Sequence, residues 1–101
     1  MNQSMTEKDG LILILRSALP GLRADWPIRS LALFGSRVRE DASPGSDLDV
    51  LVEFSEPVSL SSFLALEDRL AVIAGLPVDL VTAAALKPYI GAHVREEAVF
   101  L

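Results

Sequence analysis

The segment Asp47–Phe54 constrains this chain more than any other part of it. Leu48, Val50, Val52 and Phe54 alternate with Asp47, Asp49, Leu51 and Glu53, the two-residue period of a β-strand with one apolar face. The same period sends the side chains of Asp47 and Asp49 out of one face together. At roughly 6 Å and an effective dielectric near 20, two ionised carboxylates repel by about 3 kcal/mol. Such a face must be left to water or bridged by a cation. A third aspartate, Asp79, lies in another short apolar run, Pro77–Val81, between Val78 and Leu80. If those two strands are neighbours, three carboxylates share one patch, and oxygen-only ligands of that kind select magnesium or manganese rather than zinc.

The other elements follow from periodicity and caps. Leu11, Leu15, Ala18, Leu19 and Leu22 fall at helical spacing, and Thr6 with Asp9 resembles a capping box. A helix is expected from Thr6 to Leu19, interrupted by Pro20-Gly21, with a short turn of helix before Trp26-Pro27. Ser30–Phe34 reads as a strand ending at Gly35. Residues 38–45 are polar and close on the turn Ser43-Pro44-Gly45. Ser59 or a neighbouring serine caps a helix reaching Ala74, with an apolar stripe of Leu60, Phe63, Leu64, Leu70 and Ile73. Gly75 occupies the place of a left-handed cap, and Pro88 suits the first turn of a last helix. The order helix, strand, strand, helix, strand, helix predicts a small α+β or α/β sheet domain.

With 101 residues, folding can bury about 65% of the extended chain's surface, enough for one core but not for a second lobe. Half of the residues are hydrophobic and 23% are charged, which argues against intrinsic disorder. No apolar run approaches the ~20 residues of a membrane span, and no basic stretch precedes an apolar one at the N-terminus as a secretory signal requires. The chain has no cysteine, which excludes thiol catalysis and zinc-thiolate sites and fits a cytoplasmic protein. A net charge of −5 disfavours a partner that is a long nucleic acid. It leaves open a small nucleotide, whose charge a divalent cation can balance.

Between the first strand and the acidic one stands Gly35-Ser36, followed by Arg37 and Arg39. A glycine there lets a phosphate approach the backbone, and the serine hydroxyl and following amides can donate to it. Leu33-Phe34-Gly35-Ser36-Arg37-Val38-Arg39, ten residues from Ser36 to Asp47, and then Asp47-Leu48-Asp49 resemble the GS-x10-D-x-D signature of polymerase-β-like nucleotidyltransferases. Val78-Asp79-Leu80-Val81 is similar to that family's third acidic strand. The small size resembles the minimal nucleotidyltransferases, the MNT antitoxins paired with HEPN toxins. The resemblance covers roughly residues 5–101. One departure is Glu40, where family members commonly carry glycine.

The resemblance implies a polymerase-β-like fold with residues 1–101 as one nucleotidyltransferase domain. It also implies Mg2+, two ions with Mn2+ as a substitute, bound by Asp47, Asp49 and Asp79, and ATP as substrate. Gly35, Ser36, Arg37 and Arg39 would bind the nucleotide, and Asp79 would take the proton of an attacking hydroxyl. The implied reaction is transfer of AMP to a tyrosine of a HEPN-type toxin ribonuclease, within a hetero-oligomer. Two other readings stand beside it: an antitoxin that neutralises its partner by occlusion, and a nucleotidyltransferase acting on a small hydroxyl compound. His93, Glu96 and Glu97 read as surface residues of a terminal helix, and Trp26 and Tyr89 as packing anchors. Glu53 could tune the acidic face or simply end a strand. Phe100 and Leu101 fit either a partner interface or a frayed end.

Overall fold

The computed structural model describes residues 6–39, 43, 45–86, 94 and 96–101. Helix α1 (Glu7–Asp25) is followed by strand β1 (Ile28–Phe34), one helical turn α2 (Ser36–Arg39) and strand β2 (Leu48–Phe54). Helix α3 (Leu60–Ala74), strand β3 (Val78–Thr82), a 3-10 turn (Ala83–Ala85) and a two-residue strand β4 (Val99–Phe100) complete the order. The expected last helix from Pro88, with Tyr89 and His93, lies outside the described residues, as do Glu40 and Pro44. Val94, Glu96 and Glu97 are helical.

The capping box forms as expected: Thr6 Oγ1 accepts from the Asp9 amide at 3.1 Å, and the Asp9 carboxylate accepts from the Thr6 amide at 3.4 Å. The helix does not break at Pro20, however, but runs on to Asp25 with the proline inside it. Proline removes the bond to the carbonyl of Arg16, yet both residues face solvent, where water can take that carbonyl's place. Leu11, Leu15, Leu19 and Leu22 on the opposite face are buried, and this continuous stripe outweighs the local defect.

The sheet order is β3-β2-β1-β4. Strand β1 runs antiparallel to β2 and to β4, while β2 and β3 are parallel across the α3 connection. Leu31, Leu33, Leu48, Val50, Val52, Val78 and Leu80 join the buried faces of α1 and α3 in one core. By alternation Asp49, Leu51, Glu53 and Asp79 leave the other face. That division puts the acidic patch on the side away from the helices.

Two details of α3 correct the sequence reading. Its core-facing residues are Leu66 and Leu70, with Phe63, Ile73 and Ala74 packed beside them. Leu60 and Leu64 are exposed instead. The helix carries apolar residues on more than one face, and the docking of β3 and α1 chooses which of them is buried. Trp26 is the anchor expected of it, with its indole N–H donated to the Ser62 carbonyl at 2.9 Å and Arg69 5.9 Å from its ring centroid. On the open edge of the sheet, Glu67 accepts the Leu80 amide at 2.9 Å, which occupies a group that would otherwise invite strand pairing.

Ser59 caps α3 through the Ser62 amide, and Gly75 ends it in the left-handed region at φ 75°. A Cβ at Gly75 would meet nothing within 4 Å, so Gly75→Ala carries only the backbone cost of about 1–2 kcal/mol. Its expected effect in a thermal melt is a fall in Tm of roughly 5–10 °C.

The C-terminus is not frayed. Val99 pairs with Leu33 and Phe100 with Ala32, the Leu101 amide donates to the Leu31 carbonyl at 2.9 Å, and Arg16 donates to the Phe100 carbonyl at 2.9 Å. Val99 and Leu101 pack on the core while the Phe100 side chain stays half exposed. Two residues are too few for periodicity to reveal a strand.

Candidate active site

Register brings the acidic residues together. In the β2–β3 pairing Asp49 stands directly opposite Asp79, and in the β1–β2 pairing it stands opposite Phe34. Asp47 lies two residues earlier, at the entry to β2, where it is exposed. The condition set by the sequence, that these two strands be neighbours, is met by the β2–β3 pairing.

Gly35, the residue after Phe34, lies against Asp49. Its φ is +83°, and a Cβ built there would overlap Asp49 Oδ2 and lie 3.0 Å from Cγ. Glycine is therefore required twice, for a backbone conformation that L-residues avoid and for the space the carboxylate fills. The sequence suggested room for a phosphate; the structure shows that the room belongs first to Asp49. Ser36 then opens α2, whose Val38 and Arg39 amides both donate to the Gly35 carbonyl at 3.1 Å. The amides of Ser36 and Arg37 head the turn, where no intrahelical acceptor exists.

The two arginines part company. Arg37 donates bidentately to Glu7 at 2.7 and 2.8 Å, and through Nε and Nη2 to the Ser46 carbonyl at 3.2 and 2.7 Å. Its side chain is only 11% exposed. It ties the start of α1 to the residue preceding Asp47 and so helps to place the acidic turn. Arg39, by contrast, lies beside the carboxylates and pulls the Asp49 carboxyl downward.

Glu97 is the residue the sequence reading missed. It was expected on an exposed helix face, and Glu96 is indeed exposed. Glu97 turns inward, accepting from the Gly35 amide at 3.3 Å and pairing with Arg39 at 3.1 and 3.4 Å. Nothing in local periodicity distinguishes the two glutamates; the pairing of β4 with β1 decides which one reaches the turn.

The net electrostatic balance is unfavourable to anions. Burial pushes the Asp49 carboxyl above its ordinary range, and the charges of Asp79, Asp47 and Glu97 push it further, against the single opposing pull of Arg39. Among the described residues no three acidic or histidine side chains form a ready-made metal cage. The expected convergence is thus a register-matched pair with Asp47 alongside, not a closed three-carboxylate site. Such a set still fits a hard divalent cation. Mg2+ is commonly bound through one or two carboxylates, with waters and substrate phosphates completing its shell, and the acidic charges around Asp49 outweigh the one opposing charge of Arg39.

Glu53 lies four residues along β2 from Asp49, roughly 13 Å away, and takes no part in this site. It lines instead an open, mainly apolar cleft of about 720 Å³ with Val52, Phe54, Phe63 and Thr82. None of Asp47, Asp49 and Asp79 borders that cleft.

A protein adenylyltransferase, MntA, of Thermococcus cleftensis is 41% identical over 88 residues, covering 87% of this chain and 89% of the relative. A solved structure assigned as a minimal nucleotidyltransferase superposes with a TM-score of 0.78 at 30% identity, covering 98% of this chain and all of the other. A tri-AMPylated HEPN toxin of Shewanella oneidensis in complex with MNT antitoxin matches at TM-score 0.57 and 20% identity, covering 93% of this chain and 67% of the other. That last likeness is one of fold. No helix among the described residues is long and apolar enough to cross a membrane. The nucleotidyltransferase domain model matches residues 15–101, and the chain belongs to the nucleotidyltransferase domain family.

Proposed function

We propose that this protein transfers AMP from ATP to a tyrosine hydroxyl of a HEPN-type toxin and so neutralises it. The observation that carries the reading is the matched register of Asp49 and Asp79 beside the Gly35-Ser36 turn. The chemistry named for its relatives agrees: protein adenylyltransfer in the MntA relative, and an AMPylated HEPN toxin held by an MNT antitoxin.

In this account Asp47 and Asp49 would hold Mg2+ beside the triphosphate, and Asp79 would contribute to a second metal position. When bound, the metal ions neutralise charge on the attacking and leaving oxygens. The Ser36 hydroxyl and the first amides of α2 donate to the outer phosphates, and Arg39 supplies the nearby positive charge. Asp79 accepts the proton of the tyrosine hydroxyl as that oxygen attacks the α-phosphorus. The bond from the α-phosphorus to its bridging oxygen breaks on the opposite side, and pyrophosphate leaves. A tyrosine suits this site because its pKa near 10 falls further beside a metal.

Incubation with α-labelled ATP, Mg2+ and the HEPN-type product of an adjacent reading frame tests the reading. Label on a toxin tyrosine, absent with γ-labelled ATP, is the expected result. A toxin neutralised without label would instead show that the protein acts by occlusion.

A further inference from the structure

We infer that Glu97 is a positioning residue of the nucleotide site, holding Arg39 and the Gly35 peptide in place from the C-terminal end of the chain. The inference rests on the nucleotide-binding reading of the Gly35-Ser36 turn and adds a member that no motif contains. One carboxylate oxygen, Oε1, receives both the Gly35 amide at 3.3 Å and Arg39 Nη1 at 3.1 Å, and Oε2 stands 3.4 Å from the same Nη1. Glu97 thus joins a peptide whose position is dictated by Asp49 to the guanidinium that lies beside Asp49.

The backbone around Glu97 is fastened on both sides, which marks a strut rather than a loose anion resting in a phosphate position. Across it, the Ala98 amide closes a helical turn onto the Val94 carbonyl at 2.9 Å. After it, Val99 and Phe100 pair with β1, the Leu101 amide reaches the Leu31 carbonyl, and Arg16 holds the Phe100 carbonyl. Arg39 has a long side chain, half exposed, and its ion pair with Glu97 narrows the rotamers it samples. Fixing it in advance lowers the entropy lost when a triphosphate binds.

The test is a double-variant cycle read by calorimetric binding of AMP-PNP with Mg2+, with Tm recorded for each protein. Glu97→Ala is expected to weaken binding about tenfold, and Arg39→Gln by a similar factor. The double variant is expected to fall within about threefold of Arg39→Gln alone, because the glutamate acts through the arginine. Glu97→Gln keeps an acceptor for the Gly35 amide and is expected to lose less than Glu97→Ala; paired with Arg39→Gln it carries the same comparison if the alanine variant melts early. Glu96→Ala is expected to bind as the natural protein does. Unchanged or tighter binding by Glu97→Ala would mean that the carboxylate competes with phosphate, and fully additive losses would mean that it acts apart from Arg39. Either result overturns the inference. If the natural protein binds no AMP-PNP, the nucleotide reading beneath it fails as well.

Discussion

Asp49→Asn is expected to reduce AMP transfer by at least about 10³-fold while making the metal-free protein more stable, not less. The loss of rate follows from removing a charged ligand from the metal position, where roughly 4 kcal/mol of transition-state stabilisation corresponds to that factor. The gain in stability follows from the direction of the Asp49 shift. Its carboxyl titrates above the ordinary range, first because it is buried and then because Asp79 and Asp47 lie near. Ionising it therefore costs more in the folded chain than in the unfolded one. Its favourable contribution is present below the ordinary carboxylate range and is lost as pH rises through the raised value. Asparagine carries no charge to lose, so the Tm advantage of the variant should be greatest near neutral pH and shrink on acidification. Thermal melts of both proteins in chelator, from pH 4 to pH 8, check the sign. A variant less stable at pH 7 would show that the carboxylates are already compensated without a cation.

Gly35→Ala is expected to do the opposite to the fold and the same to the activity. The left-handed φ of +83° costs an L-residue about 1–2 kcal/mol, and the new methyl must displace the Asp49 carboxylate, a further overpacking cost of about 1–3 kcal/mol. The sum, about 2–5 kcal/mol, corresponds to a Tm lower by at least roughly 10 °C. AMP transfer should fall by at least about 10²-fold, since misplacement of about 1 Å at a reacting centre costs that much. Gly75→Ala is the control, with a similar φ and open space around it. If both variants melted alike and Gly35→Ala kept its activity, the contact between Gly35 and Asp49 would have no consequence.

What could be read from the sequence was whatever is enforced locally. The alternation through Asp47–Phe54, the Thr6–Asp9 box and the Gly75 cap each depend on a few adjacent residues, and each stands in the structure as expected. The adjacency of Asp49 and Asp79 was legible only as a condition, because strand pairing is a property of the whole sheet. Pro20 misled because its effect depends on which face of α1 it occupies, and the solvent face tolerates it. Leu66 lost to Leu60 and Leu64 because α3 is apolar on several sides and only its neighbours select the buried one. The contacts of Arg37 and the inward turn of Glu97 escaped the sequence for the same reason. Their roles are set by Glu7, 30 residues away, and by Gly35, 62 residues away. No motif spacing encodes contacts of that range.

Anomalous diffraction at the manganese edge, from crystals grown with Mn2+ and AMP-PNP, tests the central claim most directly. The account predicts metal density within coordinating distance of carboxylate oxygens from both Asp47 and Asp49, with Asp79 on the same cluster and the nucleotide phosphates over Ser36. Manganese bound elsewhere, with the Asp79 carboxylate directed away from a nucleotide that occupies the turn, would contradict it.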